Sequence, residues 1–171
     1  IDTNELEYFS EKLRAGDEVF LSGTVYTARD AAHKRIAQLL EGGKKLPFDL
    51  KGACIYYAGP TPARPGMAIG SCGPTTSSRM DIYSPRLLDE GLCGMIGKGK
   101  RSDDVIEAIC RNKAVYFCSI GGAGALAAAR ITSCEVIAFP ELGCESVKKL
   151  NFSNFPVYTA IDCKGGCIFS N

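Results

Sequence analysis

Short apolar runs rich in aromatic and β-branched residues alternate along this chain with segments of helical periodicity. ACIYYA at residues 53–58 and AVYFCSI at residues 114–120 have the composition of buried strands, and AAHKRIAQLL at residues 31–40 has that of a helix. Strands that alternate with helices favour an α/β fold with substantial parallel pairing, because helical crossovers connect parallel strands. The sequence therefore predicts an α/β fold.

The other predicted elements follow from turn and cap residues. Further strands are predicted at residues 18–22, 67–71, 91–96, 134–139, 157–162 and 167–170. Further helices are predicted at residues 5–13, 77–88, 102–111, 121–131 and 143–150. We expect Gly23 to end the first strand and Thr27 to cap the next helix, with Asp30 in its first turn. Pro85 is expected to interrupt the helix in which it lies.

The charge balance excludes several classes of partner. The 171 residues include 20 basic and 19 acidic side chains, so the net charge is +1 and no broad basic field exists for nucleic acid or an anionic membrane. No apolar run approaches the roughly 20 residues of a spanning helix, and no signal peptide is visible. A hydrophobic content of 46% suits one globular domain covering residues 1–171.

Nine cysteines are present, and most of them lie inside apolar runs, as Cys54 and Cys118 do. An odd number of cysteines in apolar surroundings indicates free thiols in a reducing compartment, so we expect a cytoplasmic protein. No Cys-x-x-Cys occurs, the nearest spacing being that of Cys163 and Cys167, and the chain has one histidine. We therefore predict no metal site built from this chain alone.

Residues 73–80, GPTTSSRM, are predicted to carry the chemistry. The Gly-Pro pair makes a turn, and the hydroxyls of residues 75–78 can cap the free N–H groups of a helix that begins there. A helix start attracts anions, and the guanidinium fork of Arg79 can grip a carboxylate or a phosphate. The competing interpretation is that the hydroxyls only cap a helix and Arg79 is a surface residue.

Two further stretches have the same anion-binding character. Arg29 and His33 are four positions apart and share a helical face, where His33 could donate a proton or a hydrogen bond to an acid near neutral pH. Glycines on both sides of Lys98 let the backbone approach a ligand closely. The competing interpretation is that His33 packs against the sheet, Arg29 pairs with a surface acid and residues 97–100 form a solvated turn. Two arginines and a lysine suit a small ligand with two negative groups, either a dicarboxylic acid or a phosphorylated metabolite.

A dinucleotide-binding pattern competes with this interpretation. Residues 122–127, GAGALA, match G-x-G-x-x-A, follow a predicted strand and open a predicted helix. The acidic residue that would bind the ribose is Glu141, which Pro140 precedes. The pattern is weak alone, because small residues also let a helix pack closely against a sheet.

Four motifs in this chain resemble those of one enzyme family. Residues 23–35, 73–81, 94–99 and 139–143 are similar to segments of the C-terminal domain, or β subunit, of class I fumarate hydratase. The β subunit of L(+)-tartrate dehydratase shares these features. The motifs occur in the family's order, and the likeness extends from about Leu13 to Phe169.

The resemblance implies a swivelling β/β/α domain of three layers with a mixed, largely parallel sheet. It also implies an oxygen-sensitive [4Fe-4S] cluster, bound by a partner α subunit rather than by this chain, and assembly of αβ units into a homo-oligomer. The reaction implied is the reversible hydration of fumarate to L-malate in the tricarboxylic acid cycle, with one iron as Lewis acid. The active site would lie between the two subunits.

The resemblance also implies residue roles. Three cations would clamp the substrate dicarboxylate and stabilise the aci-carboxylate formed on deprotonation: Arg29, Arg79 and Lys98. Thr75 occupies the position proposed for the catalytic base, and its hydroxyl would need activation by a neighbouring group, in part from the other subunit. Asp30 and His33 are candidates for holding the clamp. The alternatives are L(+)-tartrate as the substrate, an NAD-dependent oxidoreductase, or a non-catalytic module that binds a metabolite.

Overall fold

The computed structural model describes residues 1–119 and 124–170. Six strands form one mixed sheet: β1 (Glu18–Thr27), β2 (Cys54–Tyr56), β3 (Gly94–Gly97), β4 (Val115–Cys118), β5 (Ile131–Ala138) and β6 (Val147–Ile161). Five α-helices accompany them: α1 (Leu6–Ser10), α2 (Asp30–Glu41), α3 (Ser84–Asp89), α4 (Asp103–Arg111) and α5 (Gly124–Ala128). The predicted α/β class is confirmed.

The sheet is partly closed into a barrel. Its strand order is β1-β2-β3-β4-β6-β5, and an additional pairing of β1 with β6 closes the ring through the first five of these strands. The pairings β1–β2, β2–β3 and β3–β4 are parallel, whereas the three pairings made by β6 are antiparallel. The mixed sheet is as predicted, but its parallel share is smaller, because the long β6 makes the more extensive pairings.

The first strand extends beyond its predicted end. β1 passes through Gly23, where a bulge shifts the register and φ is 103°, and it ends at Thr27. Thr27 does not cap α2. It is buried, its hydroxyl donates to the carbonyl of Ser146 at 3.3 Å, and it accepts from the N–H of Lys148 at 3.0 Å. A glycine within a strand tolerates the bulge because it has no Cβ.

The predicted helix at residues 143–150 is wrong. A 3-10 segment, Pro140–Glu145, occupies its start, and β6 takes up the rest. From Leu150 onward, β6 buries every second residue, except that two residues instead of one separate the second and third of them. The buried side chains are those of Leu150, Phe152, Phe155 and Val157. This period-two pattern places one face of β6 in the core. Residues 67–71 do not form a strand either, and of residues 167–170 only Cys167 makes an isolated bridge.

Two apolar clusters occupy the two faces of the sheet. One contains inward-facing side chains from all five strands of the ring, among them Leu21, Tyr56, Ile96, Phe117 and Phe155. The other lies between the sheet and the helices and includes Ile36, Leu88, Met95, Ile109 and Tyr116. Helices α2, α3 and α4 therefore cover the outside of the parallel strands. Across both described stretches of the chain, no helix has the length and apolar character needed to cross a membrane.

Candidate active site

The predicted site segments meet at one edge of the sheet. Strands β1 to β4 are mutually parallel, so their carboxyl ends lie on the same side. Arg29 follows β1, and Lys98 follows β3 directly. The third segment joins them, because Thr76 forms a bridge with Lys98 and Pro74 forms one with Ala58 after β2. Ligands of parallel α/β sheets bind outside the carboxyl ends of the strands, so this edge is the candidate site.

The structure divides the predicted helix at residues 77–88. Its first part is a single 3-10 turn, Ser77–Met80, and Thr76 before the turn makes no side-chain cap. Helix α3 begins at Ser84 with Pro85 in its first turn, where the missing N–H costs no helical hydrogen bond. The predicted hydroxyl cap is therefore absent, and the helix is interrupted between Met80 and Ser84, just before Pro85.

Thr75 is fixed through its backbone. Its N–H donates to the carbonyl of Tyr57 at 2.6 Å, which attaches it to the residue directly after β2. The side chain is half-buried, and no group within residues 1–119 or 124–170 makes a hydrogen bond to its hydroxyl. Within the described residues, no base is hydrogen-bonded to the Thr75 hydroxyl.

Arg79 and Asp30 connect two of the predicted motifs. The Nε of Arg79 donates to Oδ1 of Asp30 at 2.9 Å, which joins the 3-10 turn to the first residue of α2. Arg79 is exposed, and among the residues described no acceptor takes a hydrogen bond from its Nη groups. Asp30 therefore orients the guanidinium and leaves the outer part of the fork free for an acid.

Arg29 lies in extended backbone immediately before α2, whereas the sequence predicted that it shares a helical face with His33. Its Nε is 3.5 Å from Oε1 of Glu145. The side chain passes over Gly59, where an added Cβ would come within 2.8 Å of the Arg29 Nη1. The absence of a side chain at Gly59 therefore makes room for Arg29 at the strand edge.

His33 is completely buried beneath Arg29. Its Nδ1 is 2.9 Å from the Arg29 carbonyl, so Nδ1 carries the hydrogen, and its ring packs against Tyr57 and Tyr83 at centroid distances of 5.3 and 6.0 Å. Burial lowers the pKa of His33 to about 4, with the nearby Arg101 charge acting in the same direction. A neutral, buried imidazole does not present a cation to a ligand. The geometry supports the second role predicted for His33, which is to hold Arg29.

Lys98 is exposed at the start of the loop after β3. Its N–H donates to Oγ of Ser77 at 3.0 Å, and its carbonyl accepts from the Ser77 N–H at 2.9 Å. No carboxylate of the described chain lies within 4.0 Å of its ammonium group. The backbone of Lys98 is fixed while its charge remains unpaired, which suits a ligand-binding cation.

The sequence interpretation missed a buried polar network beneath these cations. Arg101 has a fully buried side chain that pairs with Asp81 at 2.7 Å, and Tyr116 places its hydroxyl 2.8 Å from Oγ of Ser77. Residues 97–102, GKGKRS, have the composition of a solvated loop, so nothing in the pattern indicated burial of Arg101. The one indication in the sequence was Tyr116, which carries a polar hydroxyl within a strongly apolar strand.

The cysteines of this chain do not fit an iron–sulfur cluster. All nine are free thiols, and no three or more His, Cys, Asp or Glu side chains in the described ranges could together hold a metal ion. Burial raises the pKa of Cys72 and of Cys93 to about 12 and raises that of Cys54 further, so these sulfurs remain protonated thiols. No step of the chemistry is assigned to a cluster on this chain.

The dinucleotide interpretation lacks its structural context. Gly122 and the residue after it lie outside the described residues, and α5 is a single short helix. The strand after it, β5, pairs only with β6 and is antiparallel to it, so α5 does not connect two parallel strands as the helix of a dinucleotide-binding βαβ unit does. Gly124 packs closely against Ser71 and Gly73, and Glu141 pairs with Arg35 at 3.1 Å.

Arg29, Thr75, Arg79 and Lys98 thus lie in segments at the carboxyl ends of the parallel strands of a mixed α/β domain. The family described as "Fumarase C-terminus" matches residues 1–171, and the chain belongs to this family. The predicted resemblance is thereby confirmed.

Known relatives carry two enzyme names. The chain is 41% identical over 151 residues to the anaerobic class I fumarate hydratase of Escherichia coli strain K12, covering 87% of this chain and 28% of that protein. It is 36% identical over 165 residues to the putative L(+)-tartrate dehydratase subunit beta of Methanocaldococcus jannaschii, covering 93% of this chain and 85% of that one. It is 32% identical over 160 residues to the L(+)-tartrate dehydratase subunit beta of Escherichia coli, covering 91% and 78%.

These names describe hydro-lyases, enzymes that add or remove water, and two of them describe subunits. The chain spans 28% of the length of the anaerobic Escherichia coli fumarate hydratase that it matches.

Proposed function

We propose that this chain is the β-subunit part of a class I fumarate hydratase that interconverts fumarate and L-malate. The observation that carries the proposal is the convergence of Arg29, Arg79 and Lys98 at one strand edge in a member of the fumarase C-terminal family. The active site is completed by an α subunit that binds a [4Fe-4S] cluster. The domain acts as a swivelling β/β/α unit against that partner, and αβ units assemble further.

The three cations bind the two carboxylates of the substrate. Arg79 offers its free Nη groups in a bidentate geometry, while Lys98 supplies a point charge. Removal of a proton from the carbon next to a carboxylate places a second negative charge on that carboxylate. Cations already in position stabilise this charge without reorganisation, so they lower the barrier as well as binding the ground state.

Asp30 and His33 position two of these cations. Asp30 binds the inner edge of the Arg79 guanidinium, and His33 binds the carbonyl of Arg29. Both contacts are made by residues at the start of α2, so this one helix fixes the positions of both arginines. Asp30 and His33 therefore act by holding the arginines that bind the substrate.

Thr75 is the proposed base in dehydration of L-malate and the proton donor in hydration of fumarate. Its ordinary pKa makes the hydroxyl a weak base, and its side chain has no hydrogen-bond partner in the described part of this chain. The group that activates Thr75 therefore comes from the α subunit. This requirement makes the chain inactive alone.

L(+)-tartrate is the second candidate substrate. It is favoured by the two relatives named as subunits of L(+)-tartrate dehydratase, at 36% and 32% identity. The same cations would bind its two carboxylates, and the pocket would need space for one more hydroxyl. The residues that bind the carboxylates therefore do not determine which of the two acids is the substrate.

An anaerobic activity assay with fumarate and with L(+)-tartrate tests the proposal. The chain is assayed alone, and then with its cluster-bearing partner after reconstitution of iron and sulfide. We expect activity only in the mixture, with fumarate preferred. Full turnover by the isolated, iron-free chain would refute the shared site. Wild-type turnover by the assembled enzyme carrying Arg79→Ala would instead indicate that the chain is a non-catalytic binding module.

A further inference from the structure

The backbone around Lys98 is fixed by two buried hydroxyls. The Ser77 hydroxyl accepts from the N–H of Lys98 at 3.0 Å, and the Tyr116 hydroxyl lies 2.8 Å from Ser77 Oγ and 2.9 Å from the carbonyl of Gly99. Each hydroxyl has one hydrogen, so Tyr116 donates to Gly99 when Ser77 donates to Tyr116. The backbone of Lys98 is thereby attached directly to Ser77, and that of Gly99 is attached to it through Tyr116.

Arg101 holds the other end of the same turn. Its Nε donates to Oδ1 of Asp81 at 2.7 Å, and its Nη2 donates to Oγ of Ser84 at 2.7 Å. The second oxygen of Asp81 accepts from the N–H of Ser102 at 2.7 Å. The guanidinium also lies over the ring of Tyr116, 4.9 Å from its centroid. The loop after β3 is thus attached to the turn both before and after Arg79.

This network is buried, although it lies directly beneath exposed cations. The Arg101 side chain has no solvent exposure, and Tyr116 and Ser77 are also fully buried. A buried ion pair adds little to stability compared with apolar residues of the same shape, and in some proteins such a pair instead fixes one geometry. The geometry fixed here is the relative position of Arg79 and Lys98.

We propose that Arg101 and Tyr116 are positioning residues that set the separation between Arg79 and Lys98. This inference rests on the proposed function, since the two cations are taken to bind the carboxylates of one substrate. Neither Arg101 nor Tyr116 touches the substrate. Loosening the network separates the two cations by variable distances, and the assembled enzyme then binds the dicarboxylate more weakly.

The test uses Tyr116→Phe in the assembled enzyme, because this change removes the hydroxyl and keeps the ring. We expect the KM for fumarate to rise by about tenfold, the effect of one lost hydrogen bond on a binding site. Val115→Ala is the matched control. It alters the neighbouring position of β4, whose buried side chain belongs to the cluster on the other face of the sheet. Val115→Ala should lower Tm and leave KM within about twofold.

Arg101→Lys provides a second variant that keeps the charge and removes the fork. We expect it to raise KM as Tyr116→Phe does. If Arg101→Lys does not fold, Tyr116→Phe alone decides the matter. An unchanged KM in Tyr116→Phe would overturn the inference, and so would an equal KM increase in Val115→Ala, which would assign the effect to general destabilisation.

Amide hydrogen exchange separates this inference from the proposed function. In Tyr116→Phe we expect the amides of Lys98 and Ser77, which donate to the Ser77 hydroxyl and the Lys98 carbonyl, to exchange at least about tenfold faster, while Val115→Ala shows no selective change there. Faster exchange in an enzyme without activity on either acid would refute the proposed function and leave the positioning network intact. Unchanged exchange would refute the network even if Arg79→Ala abolishes turnover.

Discussion

Lowering the pH from 7 to 5 should destabilise the folded chain through one side chain, His33. Burial depresses its pKa from an ordinary 6.5 to about 4. A depressed folded-state pKa means that the unfolded chain binds the proton first, so the stabilisation is complete above pH 6.5 and is lost as the pH falls. With these two values, the free energy of unfolding drops by about 2 kcal/mol between pH 7 and pH 5.

Urea denaturation of the wild type and of His33→Gln at pH 7, 6 and 5 measures this effect. His33 is the single histidine of the chain, so the variant provides a direct control for the titration. His33→Gln is expected to be less stable at pH 7 and to lose less than about 0.5 kcal/mol over the same range. A wild type without the drop, or a variant that retains it, would refute the assignment of a buried, neutral imidazole beneath Arg29.

Two further substitutions test the packing around the site. Gly97→Ala should destabilise the chain by about 1–3 kcal/mol in chemical denaturation, because the new Cβ would overlap the buried Oγ of Ser77; an unchanged midpoint would contradict this close contact. Lys148→Met should cost about 1–3 kcal/mol, because the buried ammonium donates to the Cys144 carbonyl at 3.1 Å, which accepts no other hydrogen bond within the described residues, and to Oγ of Ser146 at 2.7 Å. It should also raise the KM for fumarate, because the same loop carries Glu145, the partner of Arg29. A folded Lys148→Met enzyme with wild-type KM would show that this loop does not position Arg29.

The elements that the sequence predicted well are those with local signals. The strands at β2 and β4 and the helix α2 were each found from a short run of residues, since apolar composition and periodicity act over a few positions. The cation set is still a prediction, made from glycines and arginines next to predicted strand ends. Its members Arg29, Arg79 and Lys98 come from separate motifs that the structure brings to one edge.

The elements that the sequence missed depend on distant partners. β6 was predicted as a helix followed by a strand, because its pairing with β1, β4 and β5 is not encoded within any short window. Arg101 was overlooked for a related reason. Its burial is compensated by Asp81 and Ser84, which are 20 and 17 positions away, and a charged loop sequence gives no indication of such partners.

We propose above that Lys98 binds substrate in an enzyme completed by a cluster-bearing partner. The most direct measurement is kcat/KM for fumarate in the assembled enzyme carrying Lys98→Ala, compared with Lys100→Ala. Both lysines are exposed in the same loop, so the pair separates a specific contact from local charge. We predict a loss of about 10- to 150-fold for Lys98→Ala, the value of a charge-assisted hydrogen bond, and less than about twofold for Lys100→Ala. Wild-type kcat/KM in Lys98→Ala, or equal losses in both variants, would contradict the account.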